Sequence, residues 1–347
     1  MKSFVDDKLK QWVVPHRVIS MIRQIGEYKG KQELFKHQKP DLIENLRQVA
    51  VIRSTESSNR IEGIVADPKR LRAIVREGSK PLNRPESEIA GYRDVLSTIY
   101  ESYKDIPFTP LVVLQFHRDL LKYTVESGGC WKSTDNMITT VMPDGSSSLR
   151  FQPVSAFETE RYMTELHKCF QTQLHNQDEA LLLIPAYVLD FLCIHPFLDG
   201  NGRLSRLLST LLLHQQGYEV ARYISLERVI EDSKVSYYDT LYRSSQGWHE
   251  GKHDVLPWIE YWLSTVLAAY RDFESRIDLS TDANSNKSAM VETAVLNLKP
   301  TFTTAMVCDA CPGVSRALIK RVLADLQEAG RLTSVGRGRG AKWIKNG

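Results

Sequence analysis

The residues His195-Pro196-Phe197-Leu198-Asp199-Gly200-Asn201-Gly202-Arg203-Leu204-Ser205-Arg206 bring together the groups needed to handle a polyphosphate. Gly200 and Gly202 let backbone N–H groups turn inward where a helix begins, and the helix macrodipole adds partial positive charge there. Arg203 and Arg206, three apart, project on neighbouring faces and can fork onto phosphate oxygens. Asp199 is a lone carboxylate beside this cradle, which makes electrostatic sense if it holds a cation such as Mg²⁺ that bridges phosphates. His195 can then act as general base on an incoming hydroxyl. Each piece alone is ordinary, since a histidine at a helix end also caps and Gly-Asn-Gly also makes a plain turn; the information lies in the combination.

Two apolar patterns must position these groups. One predicts a helix from Pro185 to Ile194 that Pro196 ends close to His195; the other predicts a helix from about Asn201 to Gln216, carrying Leu204, Leu207, Leu208, Leu211 and Leu212 and stopping at Gly217. His195 is thus expected at a helix terminus facing a loop. Upstream, residues 1 to about 80 read as helical, with an amphipathic run at Leu42, Ile43, Leu46, Val49 and Ala50 that starts after Pro40 and ends near Gly63. Further helical patterns run from Glu88 to Tyr103, Pro110 to Lys122, Ala156 to Leu174, Val235 to Ser244 and Trp258 to Ile277. Between them, residues 128–154 are rich in Gly, Thr and Ser, with Met137 to Val141 strand-like and Pro143-Asp144-Gly145 a turn signal, and read as a short hairpin. The polar stretch Ser280 to Ser288 has no periodicity and is expected to be a linker.

Composition bounds the rest. The 347 residues suffice for two or three domains, and 42% hydrophobic with 25% charged residues is ordinary for a globular chain. The longest apolar stretch, Ala180 to Leu189, is far short of the roughly 20 residues of a spanning helix, and residues 1–8 lack the apolar core of a secretory signal. No membrane association and a cytoplasmic address are expected. Five scattered cysteines suit a reducing compartment; Cys308 and Cys311 have CxxC spacing but no further ligands nearby, so structural thiols are expected. Residues 289–347 hold nine Lys and Arg against four Asp and Glu, while the preceding chain holds 36 against 38, so the basic character is C-terminal.

The run from 195 to 206 resembles the signature of the Fic family, HxFx[D/E]GNGRxxR, with every fixed position filled, and the resemblance covers roughly residues 85 to 270. It implies that His195 deprotonates a Ser, Thr or Tyr hydroxyl of a target protein, which attacks the α-phosphate of ATP and releases pyrophosphate. It further implies that Asp199 holds Mg²⁺, that the amides around Gly200, Asn201 and Gly202 cradle the α-phosphate, and that Arg203 and Arg206 meet the β- and γ-phosphates. The hairpin near Asn136, Met137, Ile138, Thr139, Thr140 and Val141 looks like the family's flap, which aligns the target by strand-like pairing. Lys132 stands where many relatives have Arg. Ser58-Asn59-Arg60-Ile61-Glu62-Gly63 is similar to the family's inhibitory pattern [S/T]xxxE[G/N], in which the Glu pairs with the second motif Arg, here Arg206, and fills the γ-phosphate space.

His249-Glu250-Gly251-Lys252-His253 matches the zinc-protease pattern HExxH, but that chemistry needs a helix, and Gly247, Gly251 and Pro257 predict a loop. After the linker come helical patterns at Ala289–Leu298 and Thr303–Ala310, a turn at Pro312-Gly313, a helix capped by Ser315, and strands Leu332–Val335 and Ala341–Ile344 around the tip Gly336-Arg337-Gly338-Arg339-Gly340. This resembles a winged helix, for which phosphate contact and mere protein contact are both open readings. The expected architecture is an all-α Fic core with a β-hairpin flap, and a small C-terminal winged helix. The expected division is residues 1–84 with an inhibitory helix at about 41–63, core 85–278, linker 279–288 and winged helix 289–347. The implied activity is autoinhibited AMP transfer to a target protein or to the chain itself. Removal of AMP at the same site, nucleotide-sensing transcription regulation through bound DNA, and a homodimer stay open.

Overall fold

Both leucine-rich segments that meet at His195 are helices. In the computed structural model, which describes residues 1–4, 12–38, 40–141, 147–311, 314–335 and 342–346, they are α7 (Ala180–Ile194) and α8 (Asn201–Gln215). Before them come α1 (His16–Gln38), α2 (Pro40–Ile61), α3 (Pro68–Glu77), α4 (Arg84–Ser102), α5 (Pro110–Leu120), the hairpin strands β1 (Ile138–Val141) and β2 (Ser147–Phe151), and α6 (Ala156–His175). After them come α9 (Leu226–Asp232), α10 (Lys234–Ser245) and the long α11 (Leu256–Asn297). The fold is mostly helical, with two small sheets among the described residues. No helix among the described residues is long and apolar enough to cross a membrane.

The chain divides into two units, Met1–Phe273 and Glu274–Gly347. In the first, α7 is apolar on all sides, as a helix enclosed by others must be, and its Leu181, Ile184, Ala186, Tyr187, Leu189 and Phe191 are fully buried. Trp258 of α11 donates its indole N–H to the Pro185 carbonyl at 2.8 Å, and buried Trp248 donates to Asp190 Oδ1 at 2.6 Å. Asp190, one turn before His195, also accepts from Ser3 N and Ser3 Oγ at 3.0 and 2.7 Å. Gly91 on α4 faces the end of α5: a Cβ there would lie 1.9 Å from the Leu120 carbonyl oxygen, so only glycine permits this approach.

The second unit holds the C-terminal part of α11, then β3 (Thr301–Thr303), α12 (Thr304–Ala310), α13 (Arg316–Glu328), β4 (Leu332–Val335) and β5 (Lys342–Lys345). Its antiparallel sheet has the order β3-β5-β4, and Val291, Val295, Phe302, Val307, Ile319, Val322, Leu323, Leu326 and Leu332 form its core. Strand β3 has no counterpart in the sequence reading. The expected irregular linker at 279–288 is corrected: α11 is helical throughout it. Between Pro257 and Pro300 there is neither Gly nor Pro, and Ser, Thr and Asn each cost a helix only about half a kcal/mol, too little to break one. Arg337 and Arg339 lie outside the described residues.

Four histidines whose rings are largely withdrawn from water tie stability to pH. Burial is the main cause that lowers His117, His167 and His195 from 6.5 to about 4 and His214 to about 3. His214 lies between Tyr100 and Tyr103, and neither ring nitrogen has a hydrogen-bond partner among the described residues. Unfolded, these rings take up protons as pH falls through 6.5; folded, they do so only near 4. The unfolded state therefore binds more protons in that window, and stability falls with pH by up to about 1.4 kcal/mol per pH unit for each histidine. Denaturant titrations at pH 7.5 and 5 should show a loss of several kcal/mol, and a flat profile would contradict the neutral packing of these rings.

Candidate active site

The loop between α7 and α8 is built mainly from neutral hydrogen bonds. Asn201, 2% exposed, clamps Phe197 from both sides: Oδ1 accepts from its N–H at 3.0 Å and Nδ2 donates to its carbonyl at 2.7 Å. His117 of α5 stacks on the Phe197 ring at 3.7 Å. Its Nδ1 accepts from Gly129 N at 3.0 Å, which leaves Nε2 as the N–H that donates to the Asp199 carbonyl at 3.2 Å. Gly200 starts α8 with φ +83°, the left-handed conformation that glycine adopts without strain. The buried Lys132 donates to the Ile194 carbonyl at 3.1 Å and to Asn136 Oδ1 at 2.8 Å, and burial lowers its pKa to about 8. Asn136 passes the contact on, donating to the carbonyls of His195 and Phe197 at 3.3 and 2.9 Å.

His195 closes α7 with a left-handed backbone, φ +51°. Its Nδ1 lies 3.3 Å from the Leu192 carbonyl, which can only accept, so the proton sits on Nδ1 and the Nε2 lone pair is free. With its pKa near 4, the ring is neutral at pH 7 and able to take a proton.

Around His195 opens a cavity of about 470 Å³, lined among others by Glu62, Ile138, Thr139, Asp199, Gly200, Gly202 and Arg203, and by Tyr238, Leu241 and Tyr242 of α10. This is the size and mix of surface that takes a small molecule. The hairpin at its edge is as expected: β1 pairs with β2 in antiparallel register, Ile138 opposite Phe151 and Val141 opposite Ser147, while its tip lies outside the described residues. Arg150 bonds the Tyr238 carbonyl and lies over the rings of Tyr238 and Tyr242. His249 stacks on Phe151 and donates to the Gln152 carbonyl at 2.7 Å, while His253 meets Ser3 Oγ at 3.0 Å, so the two histidines of the HExxH run serve separate contacts. No cluster of three or more metal-binding side chains occurs among the described residues.

The two arginines differ in what they hold. Arg203, 1% exposed, donates to Glu88 Oε2 at 2.6 Å and to Asp199 Oδ2 at 3.1 Å, so it orients the Asp199 carboxylate. Arg206, 4% exposed, donates from Nε to Ser58 Oγ at 2.9 Å and from Nη2 to the Ser58 carbonyl and Glu62 Oε1, both at 2.8 Å. Burial opposes its charge, but the Glu62 carboxylate and the phenols of Tyr237 and Tyr92 hold its pKa above the ordinary value. Among the described residues, no acceptor meets its Nη1 or the Nε of Arg203 with hydrogen-bond geometry. Glu62 follows the last turn of α2, which Gly63 ends at φ +82°. A Cβ on Gly202 would stand 2.3 Å from Glu62 Oε1, so that glycine is what lets the carboxylate reach the start of α8.

A family model described as Fic/DOC matches residues 107–213, the segment that carries this loop and its hairpin. Among solved structures, the chain is similar to a Fic family protein from Desulfovibrio desulfuricans G20, at 20% identity over 97% of this chain and 98% of that one, with a TM-score of 0.62. It is also similar to a Fic domain containing signaling protein from Bacteroides thetaiotaomicron VPI-5482, at 20% identity over 74% of this chain and 98% of that one, TM-score 0.61. Fic-1 (residues 134–508) from C. elegans matches at 19% identity over 76% and 73%, TM-score 0.59. At these identities the likeness is one of fold. The chain thus carries a domain of the Fic/DOC family. Proteins with such domains generally transfer AMP or another nucleotidyl group to proteins.

The structure gathers His195, Asp199, Gly200, Asn201, Gly202, Arg203, Arg206, Ser58, Glu62 and the hairpin into one site. His117, Glu88 and the bridging role of Lys132 were not foreseen, because a buried histidine or carboxylate far along the chain carries no local pattern. His117→Phe should keep the stacking on Phe197 but strand the Gly129 N–H and the Asp199 carbonyl. A loss of about 2 to 4 kcal/mol in denaturant unfolding is expected, and a change within about 0.5 kcal/mol would remove His117 from the support of the loop.

Proposed function

We propose that this protein transfers AMP from ATP to a Ser, Thr or Tyr hydroxyl of a target protein or of itself, and that Glu62 holds it inhibited. The observation that carries this reading is the Glu62 carboxylate on Arg206, in the same cavity as a neutral His195 and the amides that open α8. His195 Nε2 takes the hydroxyl proton as the oxygen attacks the α-phosphorus; the bond from that phosphorus to the bridging oxygen breaks and pyrophosphate leaves. The α8 amides carry the charge that develops on the α-phosphate. Arg206 meets the terminal phosphates once Glu62 is gone. Asp199, held by Arg203 and 46% exposed, is the residue to bind Mg²⁺. One carboxylate suffices when substrate phosphates complete the shell, which fits the lack of a three-ligand cluster among the described residues. An ion held there would neutralise phosphate charge.

A guanidinium can fork onto a carboxylate or a phosphate but cannot serve both fully with the same donors. If the engaged state is favoured by about 2 to 3 kcal/mol, Glu62→Gly should raise self-labelling from α-labelled ATP by roughly 30- to 150-fold. Labelling no faster than wild type would overturn autoinhibition. Loss of AMP removal from a modified target in that variant would assign Glu62 to hydrolysis. In the Glu62→Gly background, His195→Ala should abolish labelling while calorimetry still detects ATP within about threefold of the parent affinity, since the imidazole moves a proton and other groups hold the phosphates. Undiminished labelling would exclude His195 as base.

A further inference from the structure

The second unit has a face that nothing in the nucleotide site accounts for. Helix α13 buries Ile319, Val322, Leu323 and Leu326 against the unit's core. Its opposite face, in the first two turns, presents Arg316, Ala317, Lys320 and Arg321, all exposed. None of the three cations has an ion pair or hydrogen bond among the described residues, although Asp325 stands four residues after Arg321, a spacing at which such pairs commonly form. Two other basic side chains of the unit are engaged: Arg331 pairs with Glu292 at 3.5 Å, and Lys345 caps the carbonyls of Leu296 and Leu298. The cations also cluster toward the start of α13, where Ser315 caps the helix and backbone N–H groups point outward, whereas Asp325 and Glu328 fall at its end.

We propose that α13 binds duplex DNA, lying in the major groove with its first two turns against the phosphates. Three unpaired cations on one helical face complement a polyanion, and the small Ala317 and Ala324 between and beyond them let the helix axis approach the groove floor. α12 precedes α13 with five residues between them, the order in which the second of two helices enters the groove and the first crosses the backbone. An acidic protein surface would meet the same charges but would not need the alanines. The A-form groove of duplex RNA is too narrow for a helix.

The test uses the full chain, a labelled 25-base-pair DNA duplex of arbitrary sequence, the matching RNA duplex, and the variant Arg316→Ala, Lys320→Ala, Arg321→Ala. The variant changes only exposed side chains, and an unchanged melting temperature and ATP affinity confirm its fold. DNA binding at 50 mM salt should weaken steeply as salt rises. In the variant it should be at least about tenfold weaker, with the slope of log K against log salt reduced by about three, one for each lost phosphate contact. Absence of DNA binding at 50 mM salt, binding equal in the folded variant, or RNA bound as well as DNA would each overturn the proposal.

Discussion

The Arg206 guanidinium is the constraint from which the rest of the site follows. It is 4% exposed, and a buried cation must have acidic or carbonyl partners close by or the unit that encloses it is destabilised by several kcal/mol. Ser58 and Glu62 supply them from α2, whose end is also held by Arg60 on Glu231 and by Lys234 on the Ile61 carbonyl at 2.6 Å. α2 therefore completes the packing around α8 and brings the Glu62 carboxylate onto Arg206; in the proposed function an anionic ligand competes for the same donors. The Ser58 contacts leave Arg206 partnered when Glu62 is removed, so the exchange does not require unfolding.

Neutral groups hold what charged groups must act upon. The loop from His195 to Gly200 is fixed by Asn201, Asn136 and the His117 ring, none of which competes with the cavity for a charge. That scaffold keeps His195 Nδ1 on the Leu192 carbonyl and leaves Nε2 open. Lys132 is the exception, and its depressed pKa reflects the cost of carrying a charge there; it ties the hairpin base and the end of α7 to one point.

Much of this was legible in the sequence because the informative residues are adjacent. A helix stop, a glycine pair and two arginines within one loop carry their geometry with them, and Pro40 and Gly63 bracket α2 as helix-start and helix-stop signals should. The hairpin was legible from its Gly, Thr and Ser content. Contacts between distant segments were not: nothing near Glu88 says that it binds Arg203, and nothing near His117 says that it carries Phe197. The error at 279–288 has a different origin, since polarity was read as irregularity where the absence of Gly and Pro allowed α11 to continue.

The claim that Glu62 and the terminal phosphates compete for Arg206 is tested most directly by comparing AMP with ATP. Calorimetry on wild type and Glu62→Gly should find AMP affinity unchanged within about threefold, while ATP, held no better than AMP by the wild type, gains at least about tenfold in the variant. Equal gains for AMP and ATP, or none for either, would contradict a competition centred on Arg206.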